Sequence, residues 1–362
     1  MTALKRIEWR ISYVAALSIA CATRVGSPSL AGDLTQPRPR DAPDVIAEAL
    51  RTHSLVLISE HHWSVPVHEQ LRRIIADPKV GALAQDIAVE FGNPLYQGLI
   101  DRYIGGDQVT MDSVRLAWRN TTQLLAWDSP LYRQFYETVR SINAERAPNR
   151  RWRLIAGDPP IDWSRTNRAE DIPRSYGFRD IETIGIIERE VLAKRRRALV
   201  IIGEEHVLRT TDTVLGGPAK PLERQSLGEA LHRRHPGAAF LVATVVGDRS
   251  PLARAVRHWP NGSMASIAGT TLGAADASVR ERDTTTQLAI VPAVEGKLRL
   301  QDLFDAVLYA GAEAREVGPS GLTYREEPEY EREIRRRIRI LSAFYRVDIW
   351  SEDLDRLIQG SP

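Results

Sequence analysis

The run Ser54-Leu55-Val56-Leu57-Ile58-Ser59-Glu60-His61-His62 constrains this chain more than any other stretch. Apolar and β-branched residues on consecutive positions suit a strand covered on both faces, and the run stops abruptly at a carboxylate and two imidazoles. The same idea returns in Ala198-Leu199-Val200-Ile201-Ile202-Gly203-Glu204-Glu205-His206. Each copy carries a histidine three residues after a small residue, Ser59 in the first and Gly203 in the second. Open α/β sheets bind ligands just beyond the carboxyl ends of their strands, so the two runs predict one shared site.

Helix-period and strand-like segments alternate from residue 44 to about 310. That alternation predicts an α/β domain with a mostly parallel or mixed central sheet flanked by helices. Further strands are expected at Asp86–Glu90, Trp152–Ala156, Ala239–Val246, Gln287–Val291 and Phe304–Tyr309. Residues 93–146 read as a helical insertion with helices at Leu95–Ile104, Ser113–Leu125 and Leu131–Ala144, longer than a crossover needs and suited to cap the site. Its aromatic residues Trp118, Tyr132, Phe135 and Tyr136 are expected in the core. Residues 248–286 are polar and weakly patterned, and loops are expected there. Residues 311–362 form a C-terminal helical extension, in which Ile334, Ile338 and Leu341 share one side that is expected to pack on the sheet.

Forty-nine basic residues nearly balance forty-seven acidic ones, a net charge of +2 that calls for no nucleic-acid partner. The clusters Arg195–Arg197 and Arg335–Arg337 read as solvated helix faces. At the amino end, Lys5, Arg6 and Arg10 precede an apolar segment, Ile11–Ala22, and the small-residue stretch Ser29-Leu30-Ala31. Residues 1–31 therefore read as a secretory signal and 32–43 as a linker, which predicts an exported, periplasmic protein. Cys21, the one cysteine, sits where a bacterial lipoprotein carries its lipid; in that alternative the signal ends before Cys21, and the only membrane association expected is an anchor at that residue. No later run is long enough to span a bilayer.

Four strand ends present acid or histidine: Glu60 with His62, Glu90, Asp158, and Glu205 with His206. His68, in the first turn of a helix opened by Pro66, faces back toward the first of them. With no cysteine at hand, a metal there would be held by imidazole and carboxylate, a ligand set that suits manganese or zinc. The same groups without a metal give a histidine general base tuned by neighbouring carboxylates. In the plainest reading the histidines only satisfy loop hydrogen bonds.

Taken together, Ser59-Glu60-His61-His62 with Val67-His68, Val89-Glu90-Phe91, Gly203-Glu204-Glu205-His206-Val207 and Phe304-Asp305-Ala306-Val307-Leu308-Tyr309 resemble the ChaN, Tiki and TraB superfamily over roughly residues 50 to 310. The Glu60 to His62 spacing with a further histidine at 68 is most similar to the ChaN-like haem-uptake lipoproteins. The glycine-any-any-histidine pattern is similar to that of Tiki-type metalloproteases, and erythromycin esterases share the strand-end glutamates more distantly. The resemblance implies Glu60, His62, Glu90 and His206 as the catalytic and metal-binding site, with His68 and Asp158 beside it. It implies a metal-dependent exported hydrolase acting on a small molecule or peptide. The alternatives are a haem-binding lipoprotein without catalysis, whose iron a histidine or tyrosine would ligate, and a scaffold that keeps the fold but no activity.

Overall fold

Strand β2, Leu55–Glu60, is buried at every position. Its side chains alternate between two cores, Val56 and Ile58 on one face and Leu55 and Leu57 on the other. Covering on both faces is what a continuous apolar run requires. The computed structural model describes residues 34–210, 225–248, 250–275, 277, 279–282, 285–290, 298–348 and 350–360. The expected signal segment with Cys21 lies outside the described residues, as does most of the loop read at 210–222.

The other strands are β1 (Arg40–Asp41), β3 (Asp86–Val89), β4 (Arg153–Ala156), β5 (Ala198–Gly203), β6 (Ala239–Val246), β7 (Ser263–Ser266), β8 (Val279–Arg282), β9 (Thr285–Ile290) and β10 (Ala306–Gly311). With β2, seven of them form one eight-stranded mixed sheet in the order β1-β7-β10-β6-β2-β5-β3-β4. The six strands from β10 to β4 in that order are parallel, and β7 and β1 complete the edge antiparallel. The α/β class expected from the sequence is the fold observed. Because β2, β3, β4 and β5 run in one direction, the residues that follow them all emerge on one edge.

Several local expectations need correction. The apolar run at 287–291 is not in the main sheet: β9 pairs antiparallel with β8 in a separate two-stranded ribbon. The polar region before it also contains β7, whose Met264 and Ala265 are buried. The helix expected at Ser113–Leu125 is two short pieces, Met111–Val114 and Leu116–Arg119, followed by irregular chain.

The C-terminal helix Pro328–Tyr345 packs on the cap rather than on the sheet, with Ile334, Ile338 and Leu341 against Leu124, Leu125, Ile161 and Trp163. Arg337, expected on a solvated face, is buried and donates to Glu333 and to the Arg119 carbonyl. Among the described residues no helix is long and apolar enough to cross a membrane.

Candidate active site

Glu60 ends β2 and is almost fully buried. One of its oxygens binds His62 Nδ1, and the other lies 2.7 Å from His68 Nε2 and accepts from the Tyr132 hydroxyl at 3.2 Å. His68 reaches it because Val65-Pro66 opens the helix Val65–Ala76 directly after the His62 turn. Burial by itself would raise the Glu60 carboxyl, but His62 and His68 outweigh it and hold the group far below the usual range. Burial likewise opposes charge on His62, yet Glu60 prevails and raises its pKa.

Glu90, just past β3, accepts from Arg179 Nη1 at 2.7 Å and from the Gly203 N–H at 2.8 Å. Its pKa stands at about 2, because Arg179, His206 and His62 overcome burial. Asp158, just past β4, takes Arg179 Nε at 3.0 Å and Nη2 at 2.5 Å on one oxygen and the Thr122 N–H at 2.7 Å on the other. Burial nevertheless raises the Asp158 pKa, with Arg179 pulling the other way. His206, in the short helix Glu204–Val207 after β5, pairs through Nδ1 with Asp180 at 2.6 Å, and its Nε2 lies 3.6 Å from Glu90. Burial disfavours the charged ring, but Asp180 and Glu90 raise it to about 10.

The histidine loops meet at Gly203. A Cβ there would lie 3.3 Å from Glu90 Oε2, 3.4 Å from His206 Cδ2 and 3.7 Å from His62 Cε1. Glycine lets the two rings and the carboxylate approach this closely. Thus Glu60, His62, Glu90 and His206 share one cleft, while His68 stands behind Glu60 and Asp158 behind Arg179. Neighbouring Glu204 is buried with neither carboxylate oxygen bonded. Burial, reinforced by Glu205, raises it to about 8.

Arg179, Asp180, Thr122 and Trp127 also build the site, and no pattern in the sequence pointed to them. The aromatic signal of the insertion was the nearest one. The Trp127 ring stands edge-on to His62, with centroids 4.7 Å apart. Trp127 belongs to a strap over the cleft in which Leu125 adopts a φ of +67° and Trp63, next to His62, a φ of +64°. Trp63 Nε1 donates to the Ala126 carbonyl at 2.7 Å and joins the two. Asp128 then fixes the strap by accepting from Arg119 Nε at 3.1 Å, Tyr324 OH at 2.7 Å and Tyr330 OH at 2.9 Å.

The donor set does not fit a metal as it stands. Both Glu60 oxygens bind imidazoles, both Glu90 oxygens and both Asp158 oxygens bind N–H groups, and a guanidinium lies between the last two. Among the described residues no group of three His, Asp or Glu side chains is arranged to hold an ion. The cap aromatics pack on Phe91 and on one another: Phe91 contacts Trp127, Tyr132, Phe135 and Tyr136, and Trp118 lies on Tyr136.

No family profile and no curated protein sequence matches the chain. Similar arrangements occur among solved structures. An erythromycin esterase in its open conformation aligns with a TM-score of 0.49 at 11% identity, covering 76% of this chain and 94% of that one. A succinoglycan biosynthesis protein gives 0.48 at 10% identity, with the same coverages. A Bacillus cereus protein gives 0.44 at 10% identity, again covering 76% and 94%.

Proposed function

We propose that this protein is a hydrolase working by general acid–base catalysis, with His62 as the base. The observation that carries this reading is the Glu60–His62 contact beside Gly203, where the His206 ring also arrives. A carboxylate on Nδ1 fixes the tautomer and stabilises the imidazolium that forms when Nε2 takes a proton from water. The hydroxide equivalent then attacks an acyl carbon, and as the tetrahedral intermediate collapses the bond from that carbon to the leaving group breaks, the leaving group taking back the proton that His62 holds. His206, kept charged by Asp180 and Glu90, donates toward the oxygen that gains negative charge. Glu90 and Asp158 act behind the reacting groups by holding Arg179 and the Gly203 loop. Trp127 and the strap limit the access of bulk water, which strengthens each of these interactions.

The acyl compound hydrolysed, a small molecule or a peptide, is sought with a panel of p-nitrophenyl esters, simple lactones and peptide amides on the purified chain. Turnover that His62→Ala abolishes supports the reading. No turnover with any substrate, together with tight stoichiometric haemin binding, would replace it with the haem-handling alternative. The basic, apolar and small-residue pattern of residues 1–31 supports export, and a signal ending before Cys21 would leave that cysteine to carry a lipid. Cell fractionation tests this, and an unprocessed full-length chain in the cytoplasm would refute it.

A further inference from the structure

Two carboxylates buried side by side need a cation. Glu90 and Asp158 are 4% and 0% exposed, and the group between them is the Arg179 guanidinium, itself well buried. It binds Glu90 Oε1 with Nη1, and Asp158 Oδ1 with Nε and Nη2. A divalent ion among carboxylates and imidazoles would coordinate through the same oxygen lone pairs, at roughly 2.0–2.6 Å. It would also set two further positive charges against the guanidinium in a low-dielectric interior. Ion and arginine therefore exclude one another. The residues around the arginine head are nonetheless of ligand type: Glu90, Asp158, and His206, whose Nε2 is 3.6 Å from the Glu90 oxygen that Arg179 binds.

We propose that Arg179 is the resident cation of this site: it stands between Glu90 and Asp158 where a metal-dependent site would hold its ion, and the protein binds no metal there. The planar fork suits the position because it bridges two carboxylates in fixed directions, which a lysine ammonium does not. Arg179 is thus a positioning residue. It holds Glu90 against the Gly203 N–H and so keeps the His206 loop at the cleft.

The test needs no turnover, so failure of the hydrolase reading would leave it decidable. Tag-free wild type, Arg179→Ala and Arg179→Ala/Asp158→Asn are compared for metal content and for calorimetric titration with manganese and zinc chloride, with folding checked by circular dichroism. Wild type is expected to carry no stoichiometric metal and to melt at the same temperature with and without chelator. Arg179→Ala, its charge hole open, is expected to bind one of the two ions at least about tenfold more tightly than wild type. Asp158→Asn in that background is expected to remove the gain. If the alanine variant does not fold, Arg179→Gln, which keeps donors but not charge, takes its place. Stoichiometric metal in the wild type, lost with its thermal stability on chelation, would overturn the proposal. A folded, uncharged variant that binds neither ion would overturn it too.

Discussion

Glu60 holds His68 at 2.7 Å with one oxygen while the other holds His62, so a single carboxylate sets the orientation of two imidazoles. His62→Ala should cut ester hydrolysis by about a hundred- to ten-thousand-fold, the usual span for a positioned base. His68→Gln keeps the base but loosens its anchor, so a smaller loss in kcat with little change in KM is expected. Steady-state kinetics on both variants check this, and undiminished turnover in His62→Ala would remove His62 from the chemistry.

Activity should follow a bell-shaped pH profile. His62 acts when neutral, and its pKa lies above the ordinary 6.5, so the acid limb of kcat/KM should sit above that value. The alkaline limb should fall near pH 10, where His206 loses its proton. Glu60→Gln removes the charge that most raises His62 and leaves burial and Arg179 opposed only by Glu90, so the acid limb of the residual activity should move down. An acid limb that does not move would separate it from His62.

Stability should decline as pH rises from about 4.5 to about 8, in part through Glu204. Folded, the group keeps its proton up to about pH 8, whereas the unfolded chain releases it near 4.5. Unfolding therefore releases a proton between these values, and the contribution to stability is complete below about 4.5 and lost as pH rises toward 8. Glu204→Gln, neutral throughout, should be more stable than wild type at pH 8, by an amount on the order of a few kcal/mol. Urea unfolding at pH 5 and pH 8 measures it, and identical pH dependence in both proteins would rule it out.

Asp128 should be the fastening of the strap to the C-terminal helices. Asp128→Ala takes one partner from Arg119, which keeps Glu327, and leaves two phenols without their acceptor, at a cost of about 1–3 kcal/mol for each buried group left unsatisfied. Tyr324→Phe or Tyr330→Phe removes one bond to a charged acceptor, about 1.5–3 kcal/mol. Denaturant unfolding gives the values, and an Asp128→Ala protein as stable as wild type would show that the strap is held elsewhere.

The parallel core of the fold was legible because β2 and β5 have no polar residue until they end, which only strands covered on both faces need. The same logic put the residues after β2, β3, β4 and β5 on one edge. Pairing partners were less legible. A short apolar run such as 287–291 looks the same in a ribbon as in a central sheet, and β7 is too short and serine-rich to announce itself. The stripe of Ile334, Ile338 and Leu341 marked a buried helix face, but periodicity does not say which surface buries it. Arg179 escaped notice because its meaning depends on Glu90 and Asp158, which are distant in sequence and adjacent only after folding.

The left-handed backbone at Leu125 and Trp63 sets a conflict for anyone engineering this protein. Side chains with a Cβ hold such conformations at a cost of about 1–3 kcal/mol each, and here the two are joined by the Trp63 to Ala126 hydrogen bond directly beside His62. Glycine at Leu125 would relax the backbone but give up the leucine's packing under the C-terminal helix and free the strap that carries Trp127. Robustness and a well-aimed base therefore draw on the same few residues, and directed improvement of one is traded against the other.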